Sequence, residues 1–158
     1  MKTYIGTKLI RALPMTRAAY NEFRGWQLPA DENGDDAGYL VEYLDGGKPN
    51  TPQYMGYVSW SPAEQFDKAY RPTVALTFGL ALEALKLGKK VARVGWNGVG
   101  LTLRLVGIGN LTHAENEIST LPYIVICYPP DAKITPNAVV PWLASQTDML
   151  AEDWMVVP

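Results

Sequence analysis

Val91-Ala92-Arg93-Val94-Gly95-Trp96-Asn97-Gly98-Val99-Gly100-Leu101-Thr102-Leu103-Arg104-Leu105-Val106 places an Asn-Gly pair between two apolar, β-branched runs. Both central residues of the tightest hairpin turn need positive φ, and Asn and Gly tolerate it best, so strands at 91–96 and 101–106 are expected to fold back on each other. Upstream, Phe78, Ala81, Leu82 and Leu85 recur at helical spacing behind Thr77, which is suited to cap the helix, and Gly88 stops it. Lys86, Lys89 and Lys90 fall near the negative pole of that helix and need no ligand to explain them. Downstream, a strand is expected at 123–128, then a Pro-rich loop and a closing segment from Trp142 to Val157.

The amino-terminal half follows the same grammar. An extended segment is expected from Thr3 to Ala12, and a short helix with Thr16 as its cap and Gly25 past its end. The stretch from Pro29 to Gly38 holds Asp31, Glu32, Asp35 and Asp36 but lacks the ligand alternation of a calcium loop, so it reads as a solvated turn. Two strands, 39–44 and 54–60, are expected to pair across a breaker-rich loop. Ser61-Pro62-Ala63-Glu64 then opens a second helix carrying Phe66, with Ser61 and Glu64 as a capping box, and Arg71-Pro72 ends it. Hairpin-linked strands with a few helices and no βαβ alternation indicate an α+β fold on antiparallel β-sheet: two small units, 1–72 and 73–158, packed together.

Composition narrows the function. A net charge of -2 and a pI near 5.4, with no basic cluster beyond Lys89-Lys90, argue against a nucleic-acid backbone, DNA or RNA, as partner. No run approaches a membrane span, so no membrane partner is expected. Cys127, the single cysteine, lies in an apolar strand and reads as a buried structural residue in a reducing compartment. His113 with Glu115 and Glu117 does not make a zinc site, and neither a metal nor a cofactor is expected. A Cys127–His113 dyad would have to form across the fold, and no other nucleophile-base set is in view, so a catalyst is not expected.

A small-molecule pocket is better represented. Pro141 to Trp154 concentrates Trp142 and Trp154 with Ser145, Gln146, Thr147 and Asp148: flat apolar faces beside groups that read hydroxyls and ring edges. Core burial of Trp142 and Trp154, with Thr147 or Asp148 as a helix cap, remains the alternative. Trp96 and Asn97 at the Gly-rich turn can add a stacking face and a polar edge. The guanidinium forks of Arg93 and Arg104 suit a pyrophosphate, against the plainer reading of surface charge.

These residues carry a resemblance. The run from Thr77 to Gly98 and the run from Pro141 to Trp154 resemble the second Thoeris anti-defence family, a phage domain, over residues 73–158, while 118–137 departs from its shorter version. Residues 1–72 resemble a unit recurrent in phage proteins, marked by Tyr4-Ile5-Gly6-Thr7-Lys8, Arg24-Gly25-Trp26 and Tyr57-Val58-Ser59-Trp60-Ser61-Pro62. The resemblance implies a sponge acting in the host bacterial cytoplasm, which binds the cyclic ADP-ribose isomers made by TIR-domain defence enzymes and does not cleave them. It further implies, for some members, a separate pocket for the cyclic di- or trinucleotides of cGAS-like systems, and a homotetramer with ligand sites at subunit interfaces. The ligand-binding set expected here is Phe78, Arg93, Trp96, Asn97, Arg104, Trp142, Ser145, Gln146, Thr147 and Asp148. The rival reading is a phage structural or protein-interaction module, its binding face in the first unit, which holds eleven of the seventeen aromatics.

Overall fold

The computed structural model describes residues 1–113, 116–133 and 135–158, without the side chains of 110–118, and divides into units 1–70 and 71–158. Unit 1 contains β1 (Ile10–Pro14), α1 (Arg17–Arg24), β2 (Gly38–Tyr43), β3 (Tyr57–Pro62) and α2 (Ala63–Ala69). Its strands form one antiparallel sheet in the order β1-β2-β3, so the expected pairing of the second and third strands is present. The first strand is shorter than expected, since β2 offers partners only for residues 10–14.

Local signals set α1. The Thr16 hydroxyl accepts from the Ala19 N–H at 3.3 Å, and Gly25, at φ 66°, closes the helix with its N–H on the Glu22 carbonyl. Tyr20 of α1 packs with Leu40 and Val58 as the core of the unit, and the Trp60 indole donates to the Met15 carbonyl at 2.8 Å. The acidic loop is more than a solvated turn: Glu32 and Asp36 both hold Arg17, at 2.8 and 3.3 Å. Ser61 does not cap α2 as expected. Its backbone belongs to β3 opposite Tyr39 and its hydroxyl donates to the Pro62 carbonyl, which leaves Pro62 at the cap position with no side-chain bond.

Unit 2 contains α3 (Phe78–Lys86), β4 (Lys90–Arg93), β5 (Thr102–Val106), β6 (Gly109–His113), β7 (Asn116–Thr120), β8 (Tyr123–Cys127), β9 (Val139–Pro141), α4 (Gln146–Met149) and β10 (Trp154–Val157). Five of its strands make an antiparallel sheet in the order β10-β4-β5-β8-β9, and β6 and β7 form a separate hairpin. Both units therefore bear out the α+β, antiparallel expectation. Helix α3 starts at Thr77, whose hydroxyl accepts from Leu80, and gives way to Gly88 at φ 75°. Its Ala81 and Leu85 press on Val91, Leu103 and Trp154 from one face of the sheet. Cys127 is half-buried on β8 rather than fully enclosed. Side chains of His113, Glu115 and Glu117 lie outside the described residues. Among the described residues no helix is long and apolar enough to cross a membrane.

The Asn97-Gly98 turn is not a two-residue hairpin. Strand β4 stops at Arg93 and β5 starts at Thr102, so residues 94–101 form a loop whose left-handed residue is Gly100, at φ 77°. A competing attachment explains the difference. The Val94 N–H donates to the Asp153 carbonyl at 3.1 Å and the Gly95 N–H to the Asp153 carboxylate at 2.8 Å, drawing the chain towards β10 before it can turn.

Candidate ligand-binding site

The Gly95–Trp96 stretch, the start of α3 and the segment 142–154 converge on Trp154. This indole has no exposed surface, and Phe78, Trp96 and Trp142 surround it with ring centroids 5.5, 5.5 and 6.0 Å away. Those three rings are only half-buried, and Trp142 sits 6.2 Å from both Trp96 and Phe78. One tryptophan is thus the foundation and the other two, with Phe78, present partly open aromatic surface above it. The two tryptophans differ: Trp154 is core, as one alternative had it, while Trp142 keeps an exposed part.

The polar residues divide in the same way. Ser145, not Thr147 or Asp148, caps α4; its hydroxyl accepts from the Asp148 N–H at 3.1 Å while Asp148, at the third helical position, accepts from the Ser145 N–H at 3.1 Å. Thr147 lies 2.8 Å from the same hydroxyl. Ser145, Gln146, Thr147 and Asn97 are exposed; the first three belong to the capped turn that Asp148 ties to Trp96, and Asn97 follows Trp96 in the chain, so donors and acceptors lie near the aromatic surface.

Asp148 is of another kind. It is 9% exposed, and its carboxylate accepts from Arg93 Nη1 at 2.8 Å, Trp96 Nε1 at 3.2 Å and the Ser145 hydroxyl at 2.6 Å in addition to the Ser145 N–H. Burial pushes its pKa up, but the bonds from Ser145, Arg93 and Trp96 outweigh burial and hold it at about 2. Asp153, which the sequence did not single out, grips the other side of the guanidinium, with Arg93 Nε at 2.8 Å. The Arg93 bond lowers the Asp153 pKa against the opposing effect of burial, and the Gly95 N–H lowers it further. Arg93 comes to the site already paired with two carboxylates, not as surface charge.

Arg104 does not join it. Val91 and Leu103 are register partners in the core, so Arg93, two residues from Val91, and Arg104, next to Leu103, belong to opposite faces of the sheet. The two guanidinium groups, one or other of which was expected near a pyrophosphate, therefore face different surroundings. No local signal could have revealed the Arg93–Asp153 pair, whose members are 60 residues apart and come from β4 and the approach to β10.

Comparison with known proteins places this unit. The family model described as the Thoeris anti-defense 2-like domain matches residues 76–157. Thoeris anti-defense 2 of Bacillus phage SP01 is 36% identical over 93 residues, covering 52% of this chain and 94% of the phage protein. The family model spans the aromatic platform, the capped turn at Ser145 and the Arg93 network, and the chain belongs to the Thoeris anti-defense 2-like family.

Proposed function

We propose that this protein blocks a bacterial defence response by sequestering a cyclic ADP-ribose isomer made by TIR-domain enzymes, holding it intact in the host cytoplasm. The observation that carries the reading is the partly open surface of Phe78, Trp96 and Trp142, supported from beneath by Trp154 and edged by Asn97, Ser145, Gln146 and Thr147. A purine takes the aromatic surface and the ribose hydroxyls take the edge. Arg93 and Asp148 act beneath it as internal supports, and Arg104 lies on the opposite face of the sheet.

Asp148 is unsuited to general acid–base work. A general acid or base works best with a pKa near the operating pH, and Asp148 is held at about 2 with four donors on its two oxygens. Sequestration instead demands affinity: nanomolar binding corresponds to about -12 kcal/mol, whereas stacking supplies about 1–3 kcal/mol per base. Enclosure must supply much of the remainder. In this proposal a second copy of the chain closes over the open site in a homotetramer, and any cyclic di- or trinucleotide occupies a separate pocket.

The test is calorimetry with a panel of cyclic ADP-ribose isomers and cyclic oligonucleotides, followed by denaturation and chromatography of the ligand. We expect one cyclic ADP-ribose isomer to bind tightly and return unchanged, with the protein eluting as a tetramer. Gln146→Ala, at an exposed position, should weaken binding by roughly 1 kcal/mol, about fivefold, with an unchanged melting temperature. An opened product, or no binding of any cyclic ADP-ribose at micromolar concentration, refutes the proposal.

A further inference from the structure

Unit 1 carries a separate open groove of about 780 Å³ between α1 and β3, on the scale of small-molecule sites. Its floor is aromatic, formed by Tyr20 and Trp60, and its sides hold Trp26 and Tyr57, which are 53% and 47% exposed. Large aromatic rings left half in water offer stacking surface to a flat guest.

The cations of the groove are not equivalent. Arg17 lies over the Trp60 ring, 4.4 Å from its centroid, and is held by Glu32 and Asp36. Arg24 lies over the Trp26 ring at 4.2 Å and donates from Nη1 to the Tyr20 hydroxyl at 3.1 Å, but it has no carboxylate partner among the described residues. Stacking and the tyrosine bond fix its plane and leave other N–H groups of the fork for an anion. Gln27, exposed on the groove wall, adds an amide that can address a ring edge.

We propose that this groove binds a small nucleotide-class ligand, with its phosphate on Arg24 and its ring against the exposed aromatic surface of the groove. Charge favours a small guest over a polymer: residues 1–70 hold seven Lys and Arg against nine Asp and Glu, a balance that repels a long polyanion while one unpaired guanidinium still attracts one phosphate.

The experiment follows tryptophan indole N–H signals of the full chain by NMR while 5′-AMP, adenosine, inorganic phosphate or a short oligothymidylate is added. AMP should shift the Trp26 and Trp60 signals and bind at least tenfold more tightly than adenosine or phosphate alone. Arg24→Gln, which retains a donor for Tyr20, should reduce AMP to the level of adenosine. Arg24→Lys should restore part of the preference, and melting curves of both variants should match the parent. The proposal is overturned if AMP does not bind at millimolar concentration, if Arg24→Gln leaves AMP binding unchanged, or if only the Trp96 and Trp142 signals move. Tighter binding of oligothymidylate than of AMP overturns it equally, since that marks a single-strand groove. Because its readout is confined to Trp26 and Trp60, its failure leaves the cyclic ADP-ribose reading of the second unit untouched.

Discussion

Trp154→Ala is expected to cost the second unit about 3–5 kcal/mol, the range for removing a large aromatic from a close-packed interior. The side chain has no exposed surface and is in contact with Phe78, Trp96 and Trp142. Its indole N–H also donates to the Asp148 carbonyl at 2.9 Å, and its backbone exchanges two bonds with Leu76, at 2.7 and 3.1 Å. Alanine keeps the backbone ladder, loses the ring contacts and leaves the Asp148 carbonyl without that donor. Small domains are stable by only about 5–15 kcal/mol, so the variant should melt far below the parent in urea. Ligand affinity should fall with it, because the three upper rings lose their common support. A loss below about 1 kcal/mol would show that the cluster does not depend on this residue.

Arg93→Met should be almost as damaging, for an electrostatic reason. Removing one member of a fully buried ion pair typically costs about 3–5 kcal/mol, and the lower end applies here because the Asp153 side chain is 33% exposed and can be rehydrated. Here two carboxylates, Asp148 and Asp153, lose the cation between them. Adding Asp148→Asn to Arg93→Met should recover part of the loss, with a coupling of about 1–3 kcal/mol in the double-mutant cycle. Additivity of the two changes would disprove the coupling.

The same pair sets an acid limit. Asp148 has its pKa depressed from the ordinary 3.8 to about 2 in the folded chain, so the unfolded chain binds its proton first as pH falls. The associated stability, about 2 kcal/mol at 1.36 kcal/mol per pH unit, is fully present above pH 4 and is lost as pH falls towards 2. Depression of the Asp153 pKa acts with the same sign. Urea titrations between pH 6 and 2 should show this decline in the parent and a shallower one in Arg93→Met, where the principal cation is gone.

Signals confined to a few residues were legible in the sequence. Thr16 and Gly25 bracket α1, and Thr77 and Gly88 bracket α3, because a cap bond and a left-handed glycine are settled within one helical turn. Trp96 and Trp142 were expected to lie together, and their rings are 6.2 Å apart. Signals that had to compete with distant groups were not. The Asn97-Gly98 pair is a strong local turn former, yet bonds from Val94 and Gly95 to Asp153 outweigh it. Ser61 is a good cap by type, but its backbone is used by β3 against Tyr39. Asp148 looks like a ligand-reading group in the sequence, and only the folded chain reveals that its oxygens are filled from within.

That Asp153 holds the Gly95 amide and Asp148 the Trp96 indole bears on how quickly a guest is caught and how long it stays. A recognition loop that wanders in the free protein must be frozen on contact, at about 0.5–1.5 kcal/mol for each side chain immobilised. In the proposed binding role these bonds are made on folding and not on contact, so differences in affinity among guests should show mainly as differences in residence time.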